Sequence, residues 1–205
     1  EHATTEQRMA FSEWTGQNAY WLEDFALFAA LKDHNGGKPW TEWPQGQALR
    51  HPDVLESARR EHERMIAERR FRQWVFYSQW YALKEYANSK GIRLVGDIPI
   101  FVAHDSTDVW ANRDSFYLDE SGHPTVIAGV PPDYFSPTGQ RWGNPLYQWD
   151  KMAEDNFSWW ISRIRTALAT VDRVRIDHFR GFEAYWEVPA SEATAVRGRW
   201  VPGPG

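Results

Sequence analysis

Cysteine is absent from the 205-residue chain. Disulfides and thiolate metal sites are therefore excluded, and the absence suits a reducing cytoplasm, the expected location. No apolar run approaches the ~20 residues of a membrane-spanning helix, so no membrane partner is expected. An excess of positive charge is also missing, since 23 Lys and Arg against 28 Asp and Glu leave a net charge of −5. Nucleic acid usually selects a basic face, so it is not an expected partner either. No secretory signal pattern opens the chain, which starts at Glu1 rather than Met. The seven His are scattered, with no HExxH and no paired ligand spacing. Neither a metal site nor a cofactor is expected from that pattern.

What the chain has in abundance is aromatic rings. Thirteen Trp, eleven Phe and eight Tyr make 16% of the residues. Some must fill a core, but so many Trp also supply flat surfaces on which a ligand can lie.

Asn18 is placed to cap a helix over 19–32, which Gly36 and Gly37 would end. Before it, residues 1–18 are polar and weakly patterned. "KPWTEWPQGQ" reads as a loop with bulky anchors. A long helical region is expected over 52–89. Its first half carries mixed charge with pairs such as Glu56–Arg60 and Glu68–Arg72, and its second half is apolar enough to dock on a core. Gly91 closes it, and residues 1–90 read as a mainly helical subdomain leading into a second part over 91–205.

In that second part "IRLVGDIPIFV" has strand composition, and "FYLDESGHPTVI" reads as a hairpin around Ser121 and Gly122. Residues 129–149 read as a long loop rich in Pro, Gly and aromatics, a length that usually signals function. A helix over about 155–170 carries Phe157, Trp160, Ile161, Ile164 and Leu168 on one face. The strand "DRVRIDHF" follows. Strand, excursion, helix, strand is the order of a parallel α/β architecture. Two such strands are too few for a closed eight-stranded barrel, so the chain reads as a segment of a larger α/β domain.

Asp177 is the residue that asks for an explanation. It sits in an apolar strand, and an ionised side chain is costly to bury unless paired. Strand alternation puts Arg175 on the face of Asp177, where it would hold the carboxylate ionised, and puts His178 on the opposite face. Asp97 ends its own strand and could face the same pocket. An ionised carboxylate in a partly dry site is what a glycosidic nucleophile needs. A structural Arg–Asp pair would read the same from spacing. The rings of Tyr134, Phe135, Trp142, Tyr147 and Trp149 could stack on sugar faces or plug a core.

"GDIPIFVAHDSTDVW", "GVPPDYFSPTGQRWGNPLYQW" and "VRIDHFRGFEAYWEVPA" resemble the 4-α-glucanotransferase or amylomaltase family of the α-amylase clan, as does "YWLEDFALFAALKDHNGGKPWTEWP". The resemblance covers 19–205. It implies part of a (β/α)8 TIM barrel with a helical inserted subdomain. It also implies retaining transfer between maltooligosaccharides and other α-1,4-glucans. Asp177 would be the nucleophile and Arg175 its orienting partner. Asp97, Tyr134, Phe135, Gln140, Trp142 and His178 would bind substrate. The family's acid/base Glu, in an E-D-L-G-like motif, has no match here, and Glu183, Glu187 and Glu192 do not fit it. An α-glucan hydrolase of the same clan and a non-catalytic glucan-binding module are the alternatives.

Overall fold

Residues 3–205 are described in a computed structural model, and the chain divides into one unit running through Gly91 and another from Ile92 to Gly205. No helix among the described residues is long and apolar enough to cross a membrane.

The first unit is helical. Helix α1, Thr5–Gln17, opens on a capping box in which Thr4 and Gln7 satisfy each other's backbone N–H groups. The T-x-x-Q spacing was the one local sign of a helix in a stretch with little hydrophobic pattern. Helix α2, Ala19–His34, buries Leu22, Ala26, Leu27, Ala30 and Leu31 on one face. Asn18 does not cap it. Its backbone (φ −105°, ψ 6°) is not the extended one a cap needs. Its side chain instead donates to Trp14 O (2.8 Å) and accepts from Trp21 Nε1 (3.0 Å). Gly36 and Gly37 end α2 as expected, both at positive φ, with Gly37 N–H donating to Lys32 O (2.8 Å).

Trp40 and Trp43 are buried anchors of the following loop, which also forms the short helix α3, Gln45–Ala48. The expected long helix is two helices, α4 at Pro52–Glu61 and α5 at Glu63–Ser89, with a break at His62 (φ −106°, ψ 20°). Both anticipated pairs form, Glu56 with Arg60 (3.4 Å) and Glu68 with Arg72, on exposed ground where such pairs contribute little. Rings of α5 meet those of α1 and α2, with Trp74 beside Phe11 and Tyr77 beside Trp14 and Trp21. Arg69 and Arg70 of α5 pair with Asp33 and Glu23 of α2. The expected docking of the second half stops there. Ile66 is the only residue of α5 that is buried, and Phe76, Leu83 and Tyr86 are half or more exposed.

The second unit holds strands β1 (Val95–Pro99), β2 (Val126–Val130), β3 (Gln140–Pro145), β4 (Arg173–Asp177), β5 (Ala184–Pro189) and β6 (Arg199–Pro202). Helices α6 (Thr107–Ala111), α7 (Trp149–Glu154) and α8 (Ser158–Thr170) lie between them in sequence. Strands β1 and β4 pair in parallel, as the element order predicted, with Asp97 opposite Arg175 and Pro99 opposite Asp177. The other four strands form an antiparallel sheet in the order β3-β2-β5-β6.

Three expectations need correction. Residues 129–149 are not one loop, because Gln140–Pro145 pairs with β2 as a strand. The turn at Ser121 and Gly122 exists, with Asp119 Oδ1 accepting from Ser121 and His123 N–H (2.9 Å each). It closes only an isolated Leu118–Pro124 bridge, since β2 takes β3 and β5 as partners. On α8, Trp160 is buried but Ile161 and Leu168 are half exposed, so the predicted apolar face is not a buried face. The core of the unit centres on fully buried Trp110, Phe116, Leu146 and Tyr147.

Candidate active site

The site grows from the alternation of β1 and β4. Asp97 and Pro99 on one strand, and Arg175 and Asp177 on the other, share the exposed face, while Ile98, Val174 and Ile176 turn inward. Arg175 donates through Nη2 to the Asp97 carboxylate. That hydrogen bond, with the charge of the guanidinium, holds the Asp97 carboxyl below its ordinary range and raises Arg175 above its own. The expected Arg175–Asp177 pair is therefore replaced by Arg175–Asp97. In a parallel ladder Arg175 and Asp97 are register partners, whereas Asp177 lies two residues further along beside Pro99. Asp177 adds only the weakest of the influences on Arg175.

Among the described residues, no hydrogen bond or ion pair engages the Asp177 side chain. Its carbonyl accepts from Ile100 N–H (3.2 Å), which joins the two strand ends. A pocket of about 190 Å³ opens at this point, lined by Pro99, Ile100, Phe101, Trp142, Asn144, Asp177 and His178. His178 lies on that pocket rather than on the face opposite Asp177. The strand ends at Asp177, and His178 adopts a left-handed backbone (φ 55°, ψ 42°) that breaks the alternation. Its ring meets Trp142 edge-on at 4.8 Å. Partial burial lowers the His178 pKa and outweighs the raising effect of the Asp177 charge. The imidazole is thus held toward its neutral form.

Packing beneath the pocket fixes its rim. Tyr147, fully buried, donates its hydroxyl to Ile100 O (2.8 Å), and burial raises the pKa of that phenol. Arg163 donates to Pro99 O (2.5 Å) and Ile100 O (3.2 Å), and its guanidinium lies over Trp159 and Trp160. Asn144 donates to Val102 O (2.9 Å). These bonds satisfy backbone carbonyls that the irregular chain after β1 would otherwise leave unpaired.

Of the sequence candidates, Asp177, His178 and Trp142 line one pocket, and Gln140 accepts a hydrogen bond from Trp142 Nε1 (3.0 Å). Asp97 and Arg175 share the strand face of Asp177 without lining the pocket. Tyr134 and Phe135 stand away from the surface, 96% and 90% exposed, with their rings edge to face at 5.5 Å. Asp133 Oδ1 shapes their loop by accepting from Phe135 and Ser136 N–H (2.9 and 2.8 Å). Phe101 and Asn144 were not singled out from sequence, although both sit inside the quoted motifs. In the helical unit, His34, Glu61 and His62 bring possible ligand atoms within 4.8 Å of one another. Spacing along the chain gave no sign of this group, because His34 and His62 belong to different helical segments.

The sequence profile of the 4-alpha-glucanotransferase family matches residues 1–205. The chain belongs to this family. It is 56% identical over its whole length to a 4-alpha-glucanotransferase of Thermus thermophilus, covering 41% of that protein. It is 46% identical over 185 residues to the chloroplastic/amyloplastic 4-alpha-glucanotransferase of Solanum tuberosum, covering 32% of it. Among solved structures, an amylomaltase from Streptococcus agalactiae in complex with acarbose matches 98% of the chain with a TM-score of 0.93 and 42% identity. The chain covers 41% of that structure. It therefore spans well under half the length of these 4-alpha-glucanotransferases. The match supports the α/β class and the reading of this chain as part of a (β/α)8 barrel.

Proposed function

We propose that this chain is the segment of a 4-alpha-glucanotransferase that carries the nucleophile, and that the nucleophile is Asp177. The observation that carries the reading is the division of labour between the two aspartates. Asp97 takes the Arg175 hydrogen bond, and the Asp177 carboxylate is left uncommitted at the mouth of an aromatic-lined pocket. An oxygen with no bond to give up is free to attack an anomeric carbon.

In a retaining double displacement, Asp177 would form a glycosyl ester with one end of an α-1,4-glucan. The 4-hydroxyl of an acceptor glucan would then displace it. That chemistry needs a second carboxyl group ~5–5.5 Å away as acid and base. Glu187 is engaged with Arg199 (2.7 Å) and Glu192 with Arg197 (3.6 Å), so neither suits the role. We assign it to a part of the full-length protein that this chain does not include. Trp142 and His178 would bind the sugar beside the nucleophile, Gln140 would fix the Trp142 ring, and Tyr134 and Phe135 would hold the acceptor strand and exclude water. The acarbose bound to the Streptococcus agalactiae amylomaltase supports an oligosaccharide ligand. No cofactor is assigned a role. A cytoplasmic location fits the cysteine-free composition, although the potato relative is named for plastids.

The test is incubation of the full-length protein with maltotriose, with products read by mass, alongside an Asp177→Asn variant. Products longer than maltotriose should appear, and the variant should lose them by at least about 10³-fold, the scale on which loss of a nucleophile acts. Exclusively shorter sugars would make the protein a hydrolase. Tight glucan binding without turnover would make it a binding module.

A further inference from the structure

We propose that His34, Glu61 and His62 form a site for a divalent transition cation of the zinc type. The three residues lie in the helical unit, where the end of α2 meets the break between α4 and α5. His34 is the last residue of α2, Glu61 the last of α4, and His62 the joint itself. Each offers one ligand atom, and all three atoms lie within 4.8 Å of one another.

Four observations support a cation here. The donor set is two imidazoles and one carboxylate, which suits zinc and its neighbours and not the all-oxygen demands of calcium or magnesium. Two helices end at this point, and helix C-termini carry partial negative charge that favours a cation. The His62 side chain is buried, 8% exposed, yet its Nε2 has no hydrogen-bond partner. Buried polar atoms are rarely left so, and here the imidazole is not committed to a structural bond through that nitrogen. The His34 ring lies 4.6 Å from that of His62 at an interplanar angle of 47°, a tilted approach rather than a flat stack.

The atoms stand somewhat further apart than bonded ligands do, within reach of closure. Tetrahedral zinc with bonds of ~2.0–2.1 Å places its ligand atoms about 3.4 Å apart. Closure from 4.8 Å is then a rotamer adjustment of His34 and Glu61, both exposed. Three protein ligands leave at least one position for water. A cation held this way would pin three helices at the break in the α4–α5 pair, so its effect would be to stabilise the helical unit.

The experiment is calorimetric titration of the full-length protein, stripped with EDTA, with zinc chloride, together with cobalt chloride followed by visible absorption. His34→Ala and Glu61→Gln change exposed side chains and keep the fold. His123→Ala serves as the control, because His123 makes a separate histidine pair with His104, ring centroids 6.3 Å apart. One equivalent of zinc should bind and raise the Tm. His34→Ala and Glu61→Gln should each weaken binding at least tenfold and remove the Tm rise, with the control unchanged. The absence of zinc binding at millimolar concentration would overturn the proposal. So would binding that persists at full strength in both variants, or that is lost in the His123→Ala control.

Discussion

Arg175 reaches across the parallel ladder to Asp97, its register partner, and not along its own strand to Asp177. Both partners are solvent-accessible, with side chains 68% and 48% exposed, so the pair is an electrostatic arrangement of the site more than a source of stability. It leaves one carboxylate bonded and the other free, two strand positions apart on one face.

The Arg175–Asp97 bond has a direct spectroscopic consequence. The hydrogen bond lowers the Asp97 pKa, so its stabilising effect is present above the ordinary carboxylate range and fades as the pH falls through the lowered value. In Arg175→Gln the Asp97 titration should move up to the ordinary value near ~3.9. Carboxyl-carbon NMR of aspartate-labelled protein reads it. An unmoved midpoint would mean that the pair does not persist in solution.

Two histidines contribute to the acid side of the stability profile. Burial lowers the pKa of His104 and of His178 below the ordinary value of 6.5. A folded-state value below the unfolded one means that the unfolded chain binds more protons. The resulting stability is whole above 6.5 and declines as the pH drops toward the lowered values. His104 Nε2–H donates to Gly122 O (2.8 Å), which moderates its shift without reversing it. Chemical denaturation between about pH 7 and 5 should show falling stability, and His104→Gln should flatten the decline.

Tyr134→Ala together with Phe135→Ala should leave folding nearly untouched, within about 0.5 kcal/mol, because both rings are over nine-tenths exposed. Function should not be spared. If the rings hold an acceptor glucan, the ratio of transfer to hydrolysis should fall about tenfold, equivalent to a contact of ~1.4 kcal/mol. An unaltered ratio would remove these residues from the site.

Gly139 closes the loop that presents those rings. Its φ is +68°, and a Cβ there would sit 2.3 Å from Val130 O. Gly139→Ala should cost roughly 1–3 kcal/mol on urea unfolding and should disturb the β2–β3 turn. A neutral substitution would show that the turn relaxes freely.

Local chemistry was well legible in the sequence and long-range chemistry less so. Gly36 and Gly37, the Glu56–Arg60 and Glu68–Arg72 pairs, and the parallel relation of β1 and β4 follow from spacing and element order. The partner of Arg175 does not, because it depends on the register between strands far apart in the chain. Strand β3 is hidden in the sequence by Gly139 and Gly143, both at positive φ, and by Pro145 at its end. Alternation puts His178 on the wrong face because a single left-handed residue ends the strand, and nothing in its side chain announces that. Asn18 has the right identity for a cap but the wrong backbone, since α1 runs directly into it.

Helix α5, at 27 residues, reaches roughly 40 Å at 1.5 Å per residue, yet its only buried side chain is Ile66, near its start. A helix gains most of its stability from packing rather than from propensity, so that support weakens along its length. Its amides should not exchange with deuterium as one block. Protection should be greatest near Ile66, fall through the Trp74 and Tyr77 contacts with α1 and α2, and be least toward Ser89, so that the helix melts from one end like a fraying rope.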